Sequence, residues 1–235
     1  MISIIIPVFN EAAQITARLQ ALQTLREWGC ELLVVDGGSS DNSVELAEPW
    51  ADKVLLAGLG RATQMNMGAQ HASQKLLLFL HLDTQLPADL SSQRDVLLAA
   101  QWGFFSVCFD SRSPAMAVIA SLMNLRSRLS WVATGDQAIF INAKLFSRLG
   151  GYANIPLMED VEICKRLRKL LRPTLLSLTV QTSARRWQQR GLVKTVVSMW
   201  YLRLLYFWGA SPKSLAAIYY PNLKFPEAKA SNDKY

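Results

Sequence analysis

Three absences narrow the reading of this chain. Cysteine is scarce: Cys30, Cys108 and Cys164 are odd in number, far apart and never in a Cys-x-x-Cys pair. That argues against a disulfide framework and a structural zinc site, and a reducing cytoplasm fits best. Long hydrophobic runs are missing too. No uncharged apolar stretch reaches the roughly 18 residues of a spanning helix, and the opening MISIIIPVFNE has no basic n-region, so a signal peptide is not expected. The third absence is glycine in the turn after the first apolar run, which reads Pro-Val-Phe-Asn-Glu. A dinucleotide fold needs Gly-x-Gly-x-x-Gly there so that the backbone can approach a pyrophosphate, and no Walker phosphate loop occurs either. A pyrophosphate ligand would have to be neutralised differently, by a metal or by arginines.

What is present is a chain of 235 residues, 51% hydrophobic, with 25 basic and 18 acidic residues and a net charge of +7. The length suggests one large domain or a domain with an appended piece. The positive charge favours an anionic partner such as a phosphate ligand, nucleic acid or an acidic membrane surface, without choosing among them. A plain solvated basic surface is equally open. The basic residues are scattered and no reading motif accompanies them, so nucleic-acid binding is not expected.

The first part alternates strands and helices. ISIIIPVF, ELLVVD and KLLLFLHLD read as buried strands, and KVLLA as a further strand. Between them, residues 11–25 place Ile15, Leu19, Leu22 and Leu25 on one helical stripe, and GLGRATQMNMGAQHA is a loop running into a helix. Short apolar strands separated by helices imply an α/β fold with a mostly parallel central sheet and helices on both faces. In the second part, WGFFSVCFD, QAIFIN and TLLSLTVQT are strand candidates. Residues 114–129, 159–171 and 191–208 are helix candidates. The expected division is a domain over 1–190, an apolar helical extension over 191–220 and a polar tail over 221–235. The aromatic-rich extension either packs on the domain, or between copies of the chain in a homo-oligomer, or lies in a membrane interface, where tryptophan, tyrosine and basic residues are common.

In open parallel sheets ligands bind beyond the carboxyl ends of the strands. Strand one ends at Asn10 and Glu11, strand two at Asp36, strand four at His81 and Asp83. Three strands thus deliver acidic or amide groups to one edge. Asp83 is suited to hold a divalent metal that bridges phosphate oxygens. Arg61 and the cluster Arg185, Arg186 and Arg190 are suited to phosphate pairing.

SIIIPVFNE, VVDGGSSD, GRATQMNMGA, FLHLDT, TGDQAIFI and MEDVEICKRLR occur in an order that resembles glycosyltransferase family 2. The details look closest to a small bacterial subgroup found beside radical-SAM/selenium-domain proteins. The resemblance covers residues 2 to about 190 and implies a GT-A fold, a nucleotide-diphospho-sugar donor and a manganese or magnesium ion. By that resemblance Pro7, Asn10 and Glu11 line the nucleoside pocket, Asp36 hydrogen-bonds the base, and Arg61 lies near the base or phosphates. Asp83 matches the second aspartate of the family's Asp-x-Asp and coordinates the metal. His81 stands at the first, where contact with the ribose is expected ahead of metal ligation. Gly135, Asp136 and Gln137 border the sugar and acceptor. Asp160 matches the catalytic base, with Glu159 beside it.

The chemistry agrees with those residue types. Breaking the anomeric carbon–oxygen bond builds charge on a diphosphate, which a metal and arginines stabilise. The acceptor hydroxyl loses its proton to a carboxylate. Glu159, Asp160 and Glu162 at a helix start are also what helix electrostatics alone would select. SARRWQQRG places Arg186 and Trp187 at the last two positions of a Gln-x-x-Arg-Trp motif, with Ser183 in place of the glutamine. That suggests an arginine at the diphosphate and a tryptophan facing the acceptor. The mismatch and the missing spans argue against a processive polymer synthase. A lipid-linked acceptor would fit a cytoplasmic chain that rests on a membrane. The competing readings are a sugar-phosphate nucleotidyltransferase, whose first loop should be glycine-rich and basic, and a non-catalytic nucleotide-sugar binder in which His81 marks a degenerate metal site.

Overall fold

The computed structural model describes residues 1–220, apart from the side chains of Arg186, Arg190 and Val193; the tail expected over 221–235 lies outside the described residues. Eight strands are present: β1 (Ile2–Val8), β2 (Glu31–Asp36), β3 (Lys53–Leu56), β4 (Leu76–Phe79), β5 (Thr84–Gln85), β6 (Trp102–Phe109), β7 (Ile139–Asn142) and β8 (Thr174–Thr182). They form one sheet in the order β3-β2-β1-β4-β7-β6-β8-β5. β1–β2, β1–β4, β2–β3 and β6–β8 pair in parallel. β4–β7, β6–β7 and β5–β8 are antiparallel.

Ile4, Ile6, Leu32, Val34, Leu76 and Leu78 enter one core. Their alternates Ile5, Leu33, Val35, Leu77 and Phe79 enter the other. Helix Arg61–His71 lies close on this second face. A Cβ on its Gly68 would fall 2.4 Å from Cγ2 of Ile5, so only glycine permits that approach. From the same helix, the buried Gln64 donates from Nε2 to the carbonyls of Val8 and Val35, each at 2.8 Å. It ties together the ends of β1 and β2, where the chain turns toward the site.

β7 pairs with β6 only at Trp102 and Gly103. Farther along, Asn124 of helix Pro114–Ser130 serves that open edge. Its Oδ1 accepts from the Val107 N–H at 2.8 Å and its Nδ2 donates to the Val107 carbonyl at 2.9 Å. The helices Leu192–Phe207 and Pro212–Tyr219 send Leu202 and Leu215 into the second core. The outer face of the first of these helices leaves Val197, Trp200, Leu204 and Phe207 exposed.

Two elements differ from the sequence expectation. The helix over 11–25 is two pieces, Ile15–Gln20 and Gln23–Glu27. The side-chain amide of Gln23 donates to the Leu19 carbonyl at 2.8 Å and to that of Trp50 at 3.0 Å, competing for the acceptor that a continuous helix would use. β4 also stops at Phe79, before His81 and Asp83. The chain bends there, with the Thr84 N–H donating to the His81 carbonyl at 3.0 Å. Leu80 and Leu82 still point into the first core, which is why the apolar run continues past the strand.

Candidate active site

The sheet's pairing explains which segments meet. β1, β2 and β4 run in parallel, so their carboxyl ends share an edge. β7 runs against β4 with Phe79 opposite Ile139. The loop that precedes β7 therefore sits beside the loop that follows β4. His81 and Asp83 come from one, Gly135 and Asp136 from the other. One ligand atom from each of His81, Asp83 and Asp136 lies within 4.8 Å of the others. Nδ1 of His81 is 3.4 Å from Oδ1 of Asp136. Gly135 makes this fit possible, since a Cβ there would stand 2.1 Å from Cε1 of the imidazole.

Helix Glu159–Leu170 brings the acidic pair to the same place. Its N-cap is Met158, a non-glycine residue at φ 70°, and Ala138 on the facing loop has φ 45°. Left-handed backbone at such residues is costly and is found at sites that need a fixed geometry. Asp160 does not act as the helix cap. Its Oδ1 accepts from the Val161 N–H at 2.7 Å and its Oδ2 from the Gly135 N–H at 3.0 Å. Burial raises the Asp160 carboxyl above its ordinary value, against those two donors and the charges of His81 and Arg61. Burial likewise pushes Glu159 up to about 7, the neighbouring Asp160 charge adding to it and Arg61 opposing it. Arg61 opens helix Arg61–His71. Tyr220 first, then Glu159, Asp136 and Tyr219, hold its guanidinium above its ordinary value in spite of burial.

Two clefts meet at this point. The first, about 80 Å³, is lined by Arg61, His81, Gly135, Asp136, Glu159 and Asp160, with Met199, Arg203 and Tyr219 closing it from the C-terminal helices. The second, about 230 Å³, is lined by Pro7, Glu11, Arg61, Gln64, Glu159 and Tyr220. Arg61, Leu157 and Glu159 are walls of both. The arrangement offers an elongated site with three candidate ligand groups for a cation, one guanidinium and a pair of carboxylates.

A family model described as Glycosyl transferase family 2 matches residues 3–108. The PGL/p-HBAD biosynthesis glycosyltransferase of Mycobacterium bovis (strain BCG / Pasteur 1173P2) is 25% identical over 225 residues, 87% of this chain and 84% of its own length. Among solved structures, the mannosyltransferase PcManGT from Pyrobaculum calidifontis, in complex with GDP-Man and Mn2+, superposes with a TM-score of 0.62 at 19% identity, over 96% of this chain and 65% of that one. The chain is a glycosyltransferase with a GT-A fold. A shorter likeness, 30% identical over 91 residues, joins this glycosyltransferase to the uncharacterized glycosyltransferase YibD of Escherichia coli (strain K12). It spans 36% of this chain and about a quarter (26%) of that relative.

Not every residue singled out in the sequence faces the clefts of this glycosyltransferase. Asp36 is 2% exposed, and its carboxylate is held by its own turn. Oδ2 accepts from the N–H groups of Gly38 and Ser39 at 2.8 Å each, and Oδ1 accepts from the Ser39 hydroxyl. Asn10, at φ 55°, accepts the Ser40 N–H on its Oδ1 at 2.8 Å and so joins the turns after β1 and β2. Gln137 is fully buried. It accepts from the Ser127 hydroxyl at 2.7 Å and donates to the Phe105 carbonyl at 3.2 Å, beneath the site and outside its lining. Trp187 packs edge-to-face on Phe109 with ring centroids 5.5 Å apart and lines neither cleft. The side chain of Arg186 lies outside the described residues. Conversely, Asp136 joins the candidate metal cluster, and Gln64, Met199, Arg203, Tyr219 and Tyr220 line the clefts with no signal in the sequence that would have selected them.

Proposed function

We propose that this glycosyltransferase moves a sugar from a nucleotide-diphospho-sugar donor to an acceptor hydroxyl, with inversion at the anomeric carbon. The observation that carries this reading is the meeting of His81, Asp136, Arg61 and the Glu159–Asp160 pair around one small cleft, with Asp83 within 4.8 Å of the first two. The order of the sequence motifs supports a place in the subgroup found beside radical-SAM/selenium-domain proteins.

One imidazole nitrogen and two carboxylates within 4.8 Å of one another suit a divalent cation. The imidazole favours manganese over magnesium, which prefers oxygen ligands. His81, Asp83 and Asp136 would hold the ion, which when bound supplies positive charge to the diphosphate. The chain's own groups account for the rest. The second cleft, with Pro7 and Glu11 on its wall, takes the nucleoside. Arg61 stands between the two clefts, where the diphosphate passes, and pairs with the charge that develops there. Asp160 accepts the proton of the acceptor hydroxyl. As that oxygen bonds to the anomeric carbon, the bond to the diphosphate breaks and its electron pair leaves on the phosphate oxygen. Each Asp160 oxygen keeps a lone pair beyond its backbone bond, so the anchoring N–H groups do not block the base.

The test is calorimetric titration with a panel of nucleotides and nucleotide sugars, with manganese, with magnesium and with chelator, on the native chain and on Asp83→Ala. Metal-dependent binding that disappears in the variant is expected. Absence of binding to any donor under any metal would overturn the reading and leave a degenerate, non-catalytic site.

A further inference from the structure

A third cavity, of about 290 Å³, lies between helices Pro114–Ser130 and Leu192–Phe207. It is walled by Leu122, Leu125, Leu129, Trp187 and Trp200, together with Met199 and Arg203. The last two also wall the cleft that holds Asp160, so groove and cleft adjoin along these side chains. Leu122 and Leu125 are 59% and 55% exposed, Leu129 is 77% and Trp200 is 66% exposed. Single exposed apolar residues are ordinary on protein surfaces, but several around one hollow mark a binding surface.

The charges at the groove are of one sign. Arg126 and Arg203 line it, and no acidic side chain does among the described residues. Nε of Arg126 is buried without a hydrogen-bond partner there. A buried donor of this kind is costly unless something satisfies it. Arg126 also lies within electrostatic reach of Asp160. From the groove toward the cleft, the surface therefore runs from apolar, through two guanidinium groups, to a carboxylate placed to take a proton.

We propose that this groove holds the hydrocarbon portion of the acceptor, an anionic amphiphilic alcohol whose charged group meets Arg126 and Arg203 and whose hydroxyl reaches Asp160. This rests on the glycosyl-transfer reading and adds the acceptor's chemical class to it. The occupant is a single acceptor molecule, which the wall shared with the cleft and the unpartnered Nε of Arg126 favour over a flat bilayer surface or a second copy of the chain.

Hexyl, octyl and decyl phosphate, each below its micelle concentration, are the probes for titration calorimetry on the full chain. The dissociation constant should fall with chain length, by up to about fourfold per added methylene. Decyltrimethylammonium should bind at least tenfold more weakly than decyl phosphate. Leu125→Ser and Trp200→Ala alter exposed side chains and should weaken decyl phosphate at least fivefold while leaving nucleotide-sugar binding unchanged. Asp83→Ala should show the opposite pattern, which separates failure of the groove from failure of the donor site. Affinity that ignores chain length overturns the proposal. So does binding seen only on phosphatidylglycerol vesicles, or a dimer in sedimentation that Leu125→Ser dissociates, since these would make the face a membrane contact or a subunit interface.

Discussion

The backbone N–H of Gly135 donates to Oδ2 of Asp160 at 3.0 Å, so the loop that carries Asp136 is tied directly to the candidate base. The residue that makes this bond is also the one that leaves room for His81. The candidate cation cluster and the carboxylate are thus positioned by a single peptide unit.

Gly135→Ala tests that coupling. The new methyl would fall 2.1 Å from Cε1 of His81 and must displace the ring. Manganese-dependent nucleotide-sugar binding should weaken at least tenfold while the circular dichroism spectrum is kept. Unchanged metal dependence would show that His81 has no part in holding the cation.

Asp160→Asn keeps an oxygen that can accept a backbone N–H and removes the proton acceptor. Transfer should fall by about 10²–10⁴-fold, the usual contribution of a general base. Donor affinity, read by calorimetry on the same preparation, should stay within about twofold of the native value. Surviving transfer would move the role of base elsewhere.

Glu159 gives a pH dependence with a definite sign. Folded, the carboxyl holds its proton up to about pH 7, against an ordinary value of 4.5. Between those values the folded state binds more protons than the unfolded chain. Stability contributed by this group therefore falls as pH rises from about 4.5 to about 7 and is level above that range. Urea unfolding of Glu159→Gln should show a gain over the native chain that is larger at pH 8 than at pH 5. An equal difference at both pH values would mean that the carboxyl ionises in the folded state as it does in the unfolded chain.

Gln64→Leu removes the amide that bridges Val8 and Val35. The Val8 carbonyl keeps the Gly37 N–H at 2.9 Å, so the loss is partial. Destabilisation of about 1–3 kcal/mol is expected, the usual cost of a buried polar group left without its partner. A urea midpoint equal to that of the native chain would show that the bridge adds nothing.

The strands were the legible part of the sequence, and for a physical reason. With both faces covered, β1, β2 and β4 are short, nearly unbroken apolar blocks, whereas Thr174–Thr182 was legible by its alternation of buried and exposed residues and has the same bounds in the structure. The overrun at β4 has the same cause, since Leu80 and Leu82 remain in the core after the ladder has ended. Residues on the shared edge, His81 and Asp83, could be placed because the carboxyl ends of parallel strands must face one way. The pairing of β7 against β4 is not local information. For that reason the sequence showed Asp136 only as a border of the sugar site, and its approach to His81 and Asp83 in the candidate cation cluster emerges from the structure alone. Gln137 likewise depends on partners that are not local. A polar residue beside a motif looks like a ligand contact until Ser127 and Phe105, distant in sequence, are seen to satisfy its amide.

Tyr219 and Tyr220 each wall one of the two clefts, more than two hundred residues after the strand whose turn begins the site. The order of synthesis then matters. A nascent chain that has emerged through β8 already carries every strand of the sheet, both loops of the cation cluster and the Glu159–Asp160 pair, yet its clefts still lack their roof. The cleft that holds the two acids is therefore walled on all its sides only once the last helices have been made.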